Sequence, residues 1–102
     1  MLMKKIFFVF LLLISTKVFA DSQKELGLEI FNNKAQCGMC HALKAAKAEG
    51  QIGPNLDELK PLMSQVVLAV TNGAGVMPAF EGILSSEEIE AVAYFVSTYA
   101  GE

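Results

Sequence analysis

Five consecutive residues, Cys37-Gly38-Met39-Cys40-His41, constrain this chain more than any other stretch of it. Thiols at that spacing lie on one side of a helical turn, and a histidine comes directly after them. The pattern is the attachment signature of a c-type haem. Two sulfurs reach two vinyl groups on one porphyrin edge, and the next side chain falls under the iron as a neutral imidazole ligand. Gly38 is expected to let the porphyrin come close to the backbone. Other uses of the pair fit less well. A redox-active dithiol expects alternating strand and helix patterns around it, and none is visible. Structural zinc expects about four ligands, whereas the chain has two Cys and one His. A disulfide across two intervening residues is strained.

The N-terminal residues 1–20 read as a signal peptide. Lys4 and Lys5 precede an apolar run from Ile6 to Ile14, and Val18-Phe19-Ala20 is a small-x-small cleavage site before Asp21. The run is about half the ~20 residues of a spanning helix, and Lys17 keeps it from extending, so no retained membrane anchor is expected. Residues 21–102 then form one small domain, in a size range where a hydrophobic core alone is marginal and a covalently held haem acts as a staple. Lys4, Lys5 and Lys17 leave with the leader, so five lysines face eleven acidic residues and the mature net charge is −6. An acidic surface speaks against nucleic acid, whose binding depends on neutralised phosphates. It suits partners with basic patches.

Along the mature chain, Ser22-Gln23-Lys24-Glu25 has capping-box form, and Leu26, Ile30 and Phe31 come after it at helical spacing. A helix is expected from about Gln23 to Asn32, ended by Asn32-Asn33. Gly27 within it costs about 1 kcal/mol against Ala, which suggests a close packing partner. Ala42 to Gln51 is rich in Ala and Lys and is a candidate short helix, closed by Gly50, Gly53 and Pro54. Gly53-Pro54-Asn55-Leu56 reads as a turn, with the Pro54 carbonyl a candidate acceptor for the other ring N–H of His41. Lys44 and Lys47 read as a solvated face or part of a docking rim. Pro61 can open a third helix, with Leu62, Val66, Val67 and Val70 as its apolar stripe and Asn72-Gly73 as its stop. Gly73 to Phe80 is irregular. Ser85-Ser86-Glu87-Glu88 is a second capping box, and Ile89, Val92, Ala93, Val96 and Tyr99 extend a last helix over Ser86 to Tyr99. The fold class is therefore all-α, three to four helices around one covalently attached haem.

The second axial ligand separates an electron carrier from a ligand-binding or oxygen-handling protein. No second His is present, and the mature chain offers Met39, Met63 and Met77. Met39 lies between the cysteines on the wrong side of the ring, and Met63 reads as core. Met77 sits on a Gly-rich loop stiffened by Pro78, and is the candidate distal ligand. A His41/Met77 pair raises the reduction potential relative to two nitrogen ligands and fills both axial positions, which suits outer-sphere electron transfer.

Taken together, Cys37-x-x-Cys40-His41, Gly53-Pro54-x-Leu56, the Asn72-Gly73 to Met77-Pro78 loop and Leu84-Ser85-Ser86-Glu87-Glu88-Ile89 resemble the small monohaem class I cytochromes c over essentially the whole mature chain. The resemblance implies that the first and last helices cross, with Gly27 and Phe31 near Val92 and Phe95. It implies that Pro54 supplies the carbonyl to His41, that Met77 is the distal ligand, and that electrons pass at an exposed haem edge. More narrowly, the chain looks like the cytochrome subunits that accept electrons from periplasmic molybdenum sulfite dehydrogenases, and it is similar to soluble cytochromes that feed terminal oxidases. The absence of Arg and Trp departs from relatives that use them near the haem propionates. The expectation is an exported, periplasmic single-electron carrier between a dehydrogenase and a downstream cytochrome or oxidase, not an enzyme. Two alternatives stand beside it: a peroxidase-like or gas-binding haem protein with a labile Met77, and a haem-free dithiol oxidoreductase.

Overall fold

The computed structural model describes residues 18–102, so the signal-peptide reading of residues 1–20 lies, but for its last three residues, outside the described residues. Four helices carry the fold. Residues 18–29 are helical (α1) and pass into a π-helical turn at Ile30–Lys34, closed by the Ala35 N–H donating to the Ile30 carbonyl at 2.9 Å. A short helix α2 spans Leu56–Leu59, α3 spans Met63–Asn72 and α4 spans Ser86–Tyr99. Between α1 and α2, one 3-10 turn holds Cys37–Met39. After it, two-residue strands β1 (Ala42–Leu43) and β2 (Ala48–Glu49) pair antiparallel around a second 3-10 turn, with Ala42 opposite Glu49.

The core forms where α1, α3 and α4 meet. Phe31, Phe95, Ile30, Leu43 and Val92 are its largest fully buried side chains. Burying each contributes roughly 1.5–3 kcal/mol. Phe31 and Phe95 rings tilt against each other with centroids 6.3 Å apart. At Gly27 an added Cβ would strike the Ala91 carbonyl oxygen and lie 2.6 Å from the Phe95 Cβ. Only a residue without a side chain lets α1 lie this close to α4, so the crossing implied at Gly27 and Phe31 is present. Val66 and Val70 bury one stripe of α3 against this core, and Gly73 at φ 75° ends the helix.

Several boundaries differ from those the sequence suggests. α1 already includes residues 18–22, so Ser22 does not cap it. With residues 18–20 of the leader attached and helical, the N–H groups after Ser22 find backbone carbonyls and need no cap. At its other end the chain stays helical past Asn32-Asn33 to Lys34, because Ile30 and Phe31 are each held 1 % exposed in the core. Ala42 to Gln51 is not a helix but the β1–β2 ladder and its turn. Burial of Leu43, on the strand that packs against α2, outweighs the helix propensity of its Ala and Lys neighbours. α3 begins at Met63 rather than Pro61. The Gln65 side chain accepts the Leu62 N–H at 2.9 Å, making Leu62 the cap and leaving Pro61 buried just outside. Met63 itself is 37 % exposed, not core; with Val67 and Leu68 it lines an open apolar groove along α3.

Candidate haem attachment site

The attachment residues sit on a single turn. Gln36 enters it in the left-handed conformation (φ 51°), and the N–H groups of Cys40 and His41 both donate to the Cys37 carbonyl, at 3.1 and 3.0 Å. No disulfide joins the two cysteines, and both are half-buried. Burial, with the neighbouring Cys40 as a lesser influence, pushes the Cys37 thiol from its ordinary 9.0 up to about 11. A dithiol oxidoreductase needs the opposite shift, since its reactive cysteine works as a thiolate near neutral pH. Among the described residues no group of three or more His, Cys, Asp or Glu is arranged to hold a metal ion.

The segment after the ladder folds back onto this turn. The Gly53 N–H donates to the Cys40 carbonyl at 2.7 Å, and the His41 Nδ1 lies 2.7 Å from the Pro54 carbonyl oxygen. A carbonyl can only accept, so Nδ1 carries the proton and donates. A Cβ at Gly53 would sit 2.7 Å from the His41 Cε1 and 2.9 Å from Nδ1, so the bare backbone of Gly53 is what lies against the ring. A Cβ at Gly38 would lie 2.9 Å from the Ala48 Cβ, so β2 approaches this glycine closely.

Met77 lies apart from this cluster in the sequence, on a tight reverse turn after α3. Ala74 and Met77 exchange both backbone hydrogen bonds, at 3.1 and 2.9 Å, with Gly75 and Val76 at the tip. The Phe80 N–H donates to the Val70 carbonyl at 2.8 Å and ties the turn to the end of α3. Met77 is partly buried and packs on the same core cluster as Cys37 and Phe80. Met39, by contrast, is 68 % exposed. The donor set thus fits a covalently tethered haem: two adjacent thiols, an imidazole whose Nδ1 is already committed, and a thioether on a well-tied turn.

Three residues of the site have roles that the sequence does not assign. Gly53 is one, and Asn55 is another: its side chain accepts the N–H groups of Asp57 and Glu58 at 2.9 and 3.3 Å, capping α2. The third is Asp57, whose carboxylate accepts the N–H groups of Lys44 and Gly101 at 2.9 and 2.8 Å. Asn55 ahead of two acidic residues is an N-cap signal. Nothing local announces the partners of Asp57.

Residues 22–96 match the family described as cytochrome C oxidase, cbb3-type, subunit III. The chain is also 36 % identical to cytochrome c6 of Nostoc sp. over 104 residues, covering 92 % of each protein. The chain belongs to the class I cytochromes c. Cytochrome c6 of Microcystis aeruginosa is 39 % identical over 82 residues, covering 72 % of this chain and 94 % of that one. The crystal structure of the c-type cytochrome SorU from Sinorhizobium meliloti superposes with a TM-score of 0.76 at 56 % identity, over 80 % of this chain and 95 % of that one. This cytochrome is therefore an electron carrier with one haem c, bound covalently through the Cys-x-x-Cys motif at 37–40.

Proposed function

We propose that His41 and Met77 are the two axial ligands of the haem iron, and that the carrier works in the periplasm. There it takes electrons from a dehydrogenase of the molybdenum sulfite-oxidising class and passes them to a downstream cytochrome or terminal oxidase. The observation that carries the ligand assignment is the 2.7 Å contact between His41 Nδ1 and the Pro54 carbonyl. Donation at Nδ1 leaves Nε2 as the nitrogen with a free lone pair, fixes the ring plane, and makes the imidazole a better electron donor. Met77 supplies the second ligand from a turn tied by backbone hydrogen bonds at both ends, which limits how far its sulfur moves. Bound haem c supplies an iron that takes up and releases single electrons. Held ligands keep the geometry alike in both oxidation states, the condition for fast outer-sphere exchange. The donor class rests on the sequence resemblance and on the likeness to SorU. The acidic mature chain supports a partner with a basic docking face, since opposite charge raises encounter rates.

Purified mature protein tests this directly. Its ferric form is expected to be low-spin, with the near-infrared sulfur-to-iron charge-transfer band, and Met77→Ala is expected to abolish that band and lower the reduction potential. Tight binding of carbon monoxide by the native reduced protein would instead point to a gas-binding or peroxidase-like protein. N-terminal sequencing of the exported form is expected to begin at Asp21. The donor assignment predicts that a periplasmic fraction reduces the ferric protein on addition of sulfite; reduction that does not depend on sulfite would count against it.

A further inference from the structure

Three hydrogen bonds join the segment that starts at Cys40 to the segment that starts at Gly53, and each spans thirteen residues. Cys40 O accepts from Gly53 N at 2.7 Å, His41 Nδ1 meets Pro54 O at 2.7 Å, and Lys44 N donates to Asp57 Oδ2 at 2.9 Å. The His41 bond is thus the middle rung of a ladder. Its lower neighbour is backbone to backbone. Its upper neighbour depends on one side chain, aimed by the Asn55 cap that receives the Asp57 N–H. We propose that Asp57 is a positioning residue for His41, clamping the two segments so that the Pro54 carbonyl stays within hydrogen-bonding distance of the imidazole. This rests on the reading of His41 as an axial ligand. The two carboxylate oxygens divide their work: Oδ2 holds Lys44, and Oδ1 holds the Gly101 N–H and so pins the C-terminus.

The functional consequence runs through the imidazole. Firm donation from Nδ1 gives the ring anionic character, and an electron-rich ligand favours the oxidised metal. Loosening the upper rung weakens that donation and is expected to raise the reduction potential. A carboxylate also acts through its charge, however, and losing a negative charge raises the potential as well. Two substitutions separate the effects. Asp57→Ala removes the negative charge and both acceptor oxygens. Lys44→Pro removes the N–H donor together with a positive charge. Leu43 is extended ahead of it (φ −160°, ψ 109°), Lys44 opens a 3-10 turn, and the backbone tolerates proline in that setting.

The experiment measures, for holoprotein of each variant, the reduction potential and the exchange rate of the His41 Nδ1 proton by NMR. The expected result is that both variants shift the oxidised-to-reduced ratio at fixed potential in the same direction, toward the reduced form. The size is about two- to tenfold, tenfold being 59 mV for one electron. Both also exchange the Nδ1 proton faster than wild type. Shifts of opposite sign, with unchanged exchange, would mean that Asp57 acts only as a charge and would overturn the proposal. A variant ending at Ala100 keeps the Lys44 bond and loses the Gly101 bond. It is expected to lose stability while keeping the wild-type potential and exchange rate, and a shift equal to that of Asp57→Ala would overturn the proposal too. Failure of the underlying reading has its own signature: wild-type protein lacking hyperfine-shifted His41 ring resonances has no iron on His41, and both readings fall together.

Discussion

At the scale of single residues the site is built from backbone as much as from side chains. Gly53 is the clearest case, because a methyl group there would lie 2.7 Å from the His41 ring. Gly53→Ala is expected to destabilise the protein by about 1–3 kcal/mol through overpacking. It is also expected to rotate the imidazole, visible as a changed ferric spectrum, whereas an alanine elsewhere on an open surface would move neither. Gly27→Ala tests a different contact. Helix propensity favours alanine by about 1 kcal/mol, but the added Cβ meets the Ala91 carbonyl and the Phe95 Cβ at the α1–α4 crossing. The clash is expected to win, giving a lower urea midpoint with little change in the spectrum. His41 was legible from its motif, and so was the Pro54 carbonyl as a candidate partner. Gly53 over the ring was not, because a close approach between residues twelve apart leaves no mark in either one's neighbours.

At the scale of elements, caps explain both what was readable and what was not. α4 begins and ends where the sequence says, since the Ser85 hydroxyl accepts the Glu88 N–H at 3.1 Å and the Glu88 carboxylate accepts the Ser85 N–H at 2.9 Å. Both partners lie within one turn. Ser85→Ala is expected to lower stability by about 1 kcal/mol, read as a shifted denaturant midpoint at unchanged slope. Beyond the Gly53-to-Leu56 turn the sequence gives no sign of α2, because a four-residue helix is too short to show periodicity or to persist alone. It exists because Asn55 caps it, Leu56 is buried and Asp57 holds two other segments. Asn55→Ala is expected to cost about 1 kcal/mol by the same loss of a cap. Unlike Ser85→Ala, it should also speed exchange of the His41 Nδ1 proton, because this cap sits next to Pro54.

At the scale of the molecule, charge ties the ends of the fold together and sets its response to acid. Lys34, at the close of α1, meets Glu88, in the first turn of α4, at 2.6 Å. That contact, and then the Ser85 N–H, hold the Glu88 carboxyl below its ordinary 4.5. The N–H groups of Gly101 and Lys44 hold Asp57 below its ordinary 3.8. Both folded-state values are depressed, so the folded state binds fewer protons than the unfolded chain in the acid range. Their contribution is complete above the ordinary values and is lost as pH falls through the lower folded ones. Thermal midpoints are therefore expected to be flat in these two groups near neutral pH and to fall below about pH 4. Asp57→Asn should remove part of that acid dependence.

The sequence alone determined the chemistry. Cys37 and Cys40 lie three apart and the last helix carries its cap within its own first turn, so local spacing sufficed to read the haem attachment and α4. The tertiary structure decided how that chemistry is held. It kept α1 helical past two asparagines, turned an Ala- and Lys-rich stretch into a ladder, and set Gly53, Pro54 and Asp57 against the attachment turn. These are contacts between segments separated along the chain. They form only when burial of residues such as Leu43 and Phe31 offsets the entropy of closing the intervening loops, and no local pattern records that balance.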